Sequence, residues 1–167
     1  MPVGWVAKLV GGTILSGMHT REAEDIAIIC AETGSRQSEV YNLPPEDIFL
    51  NSEIPHFLLR YVADGENRRE LKNNASVRAV PLIGAALEAM QRNPQGFANY
   101  RGKGGYSGAV NKFLKENKLF PLGPAGEEEF YTLGATRHTF EDRASNARLN
   151  NEERAFLMGH SIGKLRG

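Results

Sequence analysis

The sequence predicts a mainly α-helical protein with one small three-stranded antiparallel β-sheet. Two patterns carry this reading. Apolar residues recur at helical spacing in six segments between residues 20 and 158. Between them, residues 47–82 hold three short runs rich in β-branched and aromatic side chains, separated by polar turns. The chain has 167 residues, of which 41% are hydrophobic and 24% charged, enough to close a core as one domain.

Residues 1–19 are small, apolar and glycine-containing, without clear periodicity, and read as a lead-in or linker remnant. The domain proper is expected over 20–167. A first helix starts at Thr20, with Glu22, Glu24 and Asp25 in the turn where the helix dipole favours acids. Ala23, Ile26, Ala27, Cys30 and Ala31 form its apolar stripe, and Gly34 is a stop signal. A second short helix is expected over Ser35–Tyr41, ended by Pro44 and Pro45. The strands are expected at 47–50, 57–62 and 77–80. Helices resume over 84–92, 107–116, 136–149 and 152–158, with loops at 93–106 and 121–129 marked by Gly, Pro, Asn and Glu. Phe49, Phe57, Phe113, Phe140 and Phe156 are expected in the core.

Several classes fall away. No apolar run approaches the ~20 residues of a membrane span. Lys8 lies inside the N-terminal apolar stretch instead of before it, unlike a signal peptide. One cysteine, Cys30, excludes an internal disulfide framework, fits a reducing compartment and sits in an apolar stripe as inert core. His19, His56, His138 and His160 are scattered without a Cys-x-x-Cys companion, so no structural metal is expected. Twenty basic residues balance twenty acidic ones, but unevenly. Residues 22–66 hold two bases and ten acids, a net −8, whereas 67–122 hold ten bases and three acids, a net +7. A basic middle in a neutral chain suits one surface that faces a polyanion.

Three segments point to chemistry: Thr33-Gly34-Ser35-Arg36-Gln37-Ser38-Glu39 at a helix junction, Arg137-His138-Thr139-Phe140 near a helix start, and Leu157-Met158-Gly159-His160 just past a helix end. Between them, Lys72 sits in a turn before the strand Val77-Arg78-Ala79-Val80. In this order and spacing, over about residues 20–163, the chain resembles the catalytic domain of tyrosine recombinases, the phage integrase family. The resemblance implies the DNA breaking–rejoining fold. It implies Arg36, Lys72, Arg137 and His160 as catalytic groups around one scissile phosphate, with Arg69 and Lys103 as alternative cations for the lysine's place. It further implies double-stranded DNA attachment sites as partner, tetramers on DNA for the full-length protein, no metal or other cofactor, and a bacterial cytoplasmic, nucleoid-associated setting. Two guanidiniums suit the non-bridging oxygens of a pentavalent phosphorus because each offers paired donors and stays charged. A lysine can protonate the leaving 5′-oxygen and a histidine can hold or shuttle a proton.

Two departures stand out. Gly134 lies three before Arg137, where the family most often has histidine. No tyrosine follows His160; the five are at 41, 61, 100, 106 and 131. The family nucleophile is therefore expected to be lacking, as in a truncated or fragmentary integrase core that is inactive alone and monomeric. Glu39 reads as a structural partner of Arg36, His138 as packed or bonded within its helix or touching DNA, and Tyr131 as a packing or interface residue. Arg101-Gly102-Lys103-Gly104-Gly105 lacks phosphate-loop spacing and reads as a basic loop whose Lys103, with Lys112, Lys115 and Lys118, contacts DNA backbone. Alternative readings are a non-catalytic DNA-binding module or degenerate integrase relic, and a helical interaction domain with chance motifs.

Overall fold

A computed structural model describes residues 1–62 and 76–160. Among the described residues, seven α-helices and three strands follow in the order α1 (Val3–Val10), α2 (Arg21–Thr33), α3 (Gln37–Tyr41), β1 (Ile48–Phe49), β2 (His56–Leu59), β3 (Arg78–Pro81), α4 (Gly84–Gln91), α5 (Tyr106–Glu116), α6 (Ala135–Asn146) and α7 (Asn151–Met158), with a 3-10 turn at Pro45–Asp47 before β1. Each expected helix from residue 20 onward is present, with boundaries within a few residues.

Helix α2 is the axis of the fold. Its residues from Ala23 to Ala31 are all buried, with α1, α3, α4 and α6 packed around them. A helix so enclosed is apolar on nearly every side. Its buried acid Asp25 is matched by Arg92 (Nη2 to Oδ1 2.6 Å) and by Asn93 (Nδ2 to Oδ2 2.8 Å). The helix ends at Gly34, whose φ of +67° is the left-handed cap that favours glycine. A Cβ there would stand 2.4 Å from Phe140 Cδ1 and 2.9 Å from Met158 Sδ, so α2 ends in direct contact with α6 and α7.

The sheet has the order β1-β2-β3, antiparallel throughout. Ile48 pairs with Phe57, and Phe57 with Val80; Leu59 pairs with Arg78. Strand alternation sends Phe57, Leu59, Val80 and Arg78 inward.

The N-terminal reading requires correction. Residues 3–10 form a helix that buries Trp5, Val6 and Leu9, and Ile14 and Leu15 join the same core. Trp5 Nε1 donates to Leu119 O at 2.7 Å, tying α1 to the chain beyond α5. The lead-in is thus part of the packed body. Phe49 and Phe156 also depart from expectation: both are exposed. Phe49 is on the outer face of its strand, where it stacks on His56 with ring centroids 4.8 Å apart. Phe57 is buried, and Phe113 and Phe140 are partly so. Cys30 is buried, and burial pushes its thiol pKa up, as expected for inert core.

Candidate functional site

Arg36 and Arg137, 101 positions apart in sequence, line one cleft of about 500 Å³. Its walls are the turn from Ser35 to Ser38 with Tyr41, the first turn of α5 (Gly105–Gly108), and the entry to α6 (Thr132–Gly134, Thr136). The N-termini of α5 and α6 therefore face the cleft, where the helix dipole favours negative charge; the first N–H groups of α6, from Ala135 to Arg137, already donate to Thr132 O, Leu133 O and Gly134 O.

Arg36 is held by Glu39. Its Nη1 donates to Glu39 Oε1 at 2.6 Å, and its backbone N–H donates to Oε2 at 2.8 Å. Glu39 is buried and also accepts from Arg78 Nη2 at 3.1 Å. Burial alone would raise the Glu39 pKa, but Arg78 and the Arg36 backbone N–H outweigh it and hold the carboxyl below its usual value. Glu39 is thus the structural partner that the sequence suggested.

Arg137 caps two helices at once. Its Nη1 donates to Gly34 O at the end of α2, and its Nη2 to Met158 O at the end of α7. Terminal carbonyls lack intrahelical partners and carry the negative end of the dipole, so a guanidinium suits them. Nη2 also lies 3.0 Å from His160 Nε2. The guanidinium is a donor only, so Nε2 accepts and the imidazole carries its proton on Nδ1. Burial and the adjacent Arg137 hold the His160 pKa below the ordinary imidazole value, Glu141 opposing. Burial and Arg36 lower Arg137 to about 10, which leaves it charged at neutral pH.

Three guanidiniums (Arg36, Arg78, Arg137) and the Glu39 carboxylate thus cluster beside a neutral histidine, with the Glu141 carboxylate acting on both Arg137 and His160, a local net charge of +1. A guanidinium has five N–H donors. Among the described residues Arg137 commits three, to Gly34 O, Met158 O and His160 Nε2, which leaves two. Arg36 commits one side-chain donor, to Glu39.

Three of the predicted site residues therefore come together: Arg36, Arg137 and His160. Lys72 and Arg69 lie outside the described residues. Lys103 is exposed and donates to Ala98 O at 3.1 Å, and Lys112 is exposed on α5 with Glu116 at 3.8 Å. Neither lines the cleft. His138 is exposed on α6 rather than packed. Gly134 does line the cleft, with open space where a side chain would be; Thr132 Oγ1 is the nearest atom, 3.5 Å from a built Cβ. Tyr41 and Tyr106 also line it, but the Tyr106 hydroxyl donates to Ala23 O at 2.8 Å and burial raises its pKa well above the usual phenol. Tyr131 donates to Glu129 Oε2 at 2.6 Å. The sequence reading missed Arg78, which had passed as an ordinary strand residue. Its signal was register: Arg78 shares the inward face with Val80. Among the described residues, no group of three or more His, Cys, Asp or Glu is placed to hold a metal.

No family model and no curated protein matches the sequence. Solved structures do match the fold. The Tn1549 transposon integrase (residues 82–397), in complex with transposon right-end DNA, superposes with a TM-score of 0.66 at 23% identity, over 98% of this chain and 59% of that one. The same integrase in complex with circular intermediate DNA gives 0.65 at 23% identity, over 98% and 60%. XerA recombinase gives 0.66 at 15% identity, over 98% and 56%. The chain has the fold of a tyrosine recombinase catalytic domain. It spans about three-fifths of the length of the solved chains it matches. In this recombinase fold the mostly helical body and the three-stranded sheet agree with the expected class, and the cleft lies between α3, α5 and α6. Among the described residues, no helix is long and apolar enough to cross a membrane.

Proposed function

We propose that the cleft binds a backbone phosphate of double-stranded DNA, and that the chain is the cationic core of a site-specific recombinase, an integrase of the kind found in phages and prophages. The observation that carries this is the convergence of Arg36 and Arg137 on one cleft, with neutral His160 bonded to Arg137. The positive surplus suits a phosphate oxyanion, and the dipoles at the α5 and α6 N-termini act in the same sense. Arg36 and the free donors of Arg137 would hold the non-bridging oxygens as charge builds on them. Fixed donors of this type are typically worth ~100–1,000-fold in rate each. His160, neutral in the resting state, would take or return a proton. Lys72 would protonate the leaving 5′-oxygen, and attack by a tyrosine would leave a 3′-phosphotyrosyl link that conserves the bond energy without a cofactor. That tyrosine is lacking among residues 1–167 in this reading. Tetramer assembly on attachment sites, nucleoid association in a bacterial cytoplasm, and DNA contacts by Arg69, Lys103, Lys112 and His138 belong to the same proposal.

The test is duplex binding by gel shift across a salt series with the wild-type chain, Arg36→Ala and Arg137→Lys. Backbone binding predicts log K falling linearly with log salt, with a slope of about −0.9 per phosphate neutralised. A flat salt dependence would refute DNA as partner. A nicked suicide duplex is expected to give no covalent adduct. An adduct would overturn the missing nucleophile, and its loss in Tyr41→Phe would place the attack at the cleft tyrosine. A DNA-binding relic is the second reading, favoured by Gly134 and by the three protein partners already on Arg137. Adding downstream residues with a tyrosine separates them, since only a catalytic core should then cleave.

A further inference from the structure

We propose that Arg78 is the positioning residue of this site: one buried guanidinium holds Arg36, through Glu39, on one side and the turn carrying His160 on the other. The inference rests on reading the cleft as an anion site.

Arg78 is 3% exposed, on the inward face of β3. A charge buried so deeply is tolerated only when its donors are matched. Here they go to three different segments. Nη2 donates to Glu39 Oε2 on α3 at 3.1 Å. Nε donates to Leu157 O in the last turn of α7 at 3.1 Å. Nη1 donates to Ser76 O at 3.0 Å, bracing the guanidinium against the chain just before its own strand. Glu39 passes the constraint on, because its other oxygen accepts from Arg36 Nη1 at 2.6 Å. The contact with Leu157 fixes the turn that ends at His160 three residues later.

The glycine of the Leu-Met-Gly-His segment acquires a reason from the same geometry. Gly159 has a φ of +59°, a left-handed cap. A Cβ on it would stand 2.4 Å from Arg78 Nη1 and 3.0 Å from its Cζ. The guanidinium lies where any side chain at 159 would have to go. Strand β3 and the His160 turn are therefore in backbone-to-side-chain contact only because position 159 is bare. No lysine could replace this fork: an ammonium is a compact point charge and cannot reach Glu39, Leu157 O and Ser76 O along three fixed directions.

The test uses Arg78→Lys, which keeps the charge, and Arg78→Met, which removes it. Three readouts are followed: the fold by circular dichroism, orthovanadate affinity by ⁵¹V NMR, and the His160 imidazole ¹H–¹³C signal. The expected result for Arg78→Lys is a folded chain with a displaced His160 signal. Its vanadate affinity should fall ~10- to 100-fold, as when the outer partners of metal ligands are removed. A folded Arg78→Lys with wild-type affinity and an unmoved His160 signal would overturn the proposal. Failure of the wild-type chain to bind vanadate would overturn the anion reading alone. The His160 signal would then still decide Arg78, unmoved against it and displaced for it. Should both single variants fail to fold, Arg78→Met combined with Glu39→Met exchanges the buried pair for apolar groups, a swap that often preserves stability. That double variant is expected to fold with vanadate affinity ~10-fold or more down, and unchanged affinity would overturn the positioning role.

Discussion

Replacing Gly34 by alanine tests whether the junction of α2, α6 and α7 is as tight as the geometry says. Two effects add. Gly34 has a φ of +67°, and a non-glycine residue in the left-handed region costs about 1–2 kcal/mol. The new Cβ would also stand 2.4 Å from Phe140 Cδ1 and 2.9 Å from both Phe140 Cε1 and Met158 Sδ. Forcing a methyl into a packed contact of this kind costs about 1–3 kcal/mol. The total is about 2–5 kcal/mol. For a domain of this size 1 kcal/mol moves Tm by roughly 2–4 °C, so the expected loss is about 4–20 °C by scanning calorimetry. The two parts can be separated. In a Phe140→Ala, Met158→Ala background both steric opponents are gone, and Gly34→Ala should then cost only the backbone part, about 1–2 kcal/mol. The Gly34 carbonyl accepts from Arg137, so vanadate affinity should fall with stability in the single variant. A Tm for Gly34→Ala within about 2 °C of wild type would refute both the close packing and the left-handed cap.

His160 should titrate below the ordinary imidazole value, because burial and Arg137 disfavour its charged form. Its folded pKa lies below the unfolded one, so its contribution to stability is full above about pH 6.5 and declines as pH falls through the folded value. An NMR titration placing it at or above 6.5 would contradict the Arg137 contact. Arg92 is exposed, so Arg92→Ala takes a solvent-facing partner from buried Asp25, leaves Asn93 as its main side-chain partner, and should destabilise by about 1–3 kcal/mol, the cost of an under-satisfied buried acceptor. Urea midpoints would check it, and a change within about 0.5 kcal/mol, the range of ordinary surface positions, would refute Arg92 as the partner that buried Asp25 needs. Gly134→His should fit without strain, since φ is −57° and the nearest atom to a new Cβ is Thr132 Oγ1 at 3.5 Å. Vanadate affinity should rise about tenfold from one added charge-assisted donor, and a Tm loss beyond about 4 °C would show that the cleft is not open there.

The helices from α2 onward were legible because local rules agree with the fold: acids at the start of α2, its apolar stripe, and glycine caps at 34 and 159. Helix α1 was not legible. Only Trp5, Val6 and Leu9 of its eight residues are buried, and the flanking glycines disguised the period. Phe49 and Phe156 show the same limit from the other side, since hydrophobicity alone does not say which face of a strand or helix meets the core.

The sequence by itself determined the fold class and the order of elements from α2 onward, and singled out Arg36, Arg137 and His160 as candidates, since periodicity, caps and local motifs are properties of neighbours in the chain. The tertiary structure alone decided that Arg36 and Arg137 line one cleft, that His160 bonds to Arg137, and that buried Arg78 joins their supports. Hydrogen bonds such as Arg78 to Glu39, 39 positions away, and Arg137 to Gly34, 103 away, depend on how segments pack. No pattern within a helix or a strand encodes such contacts.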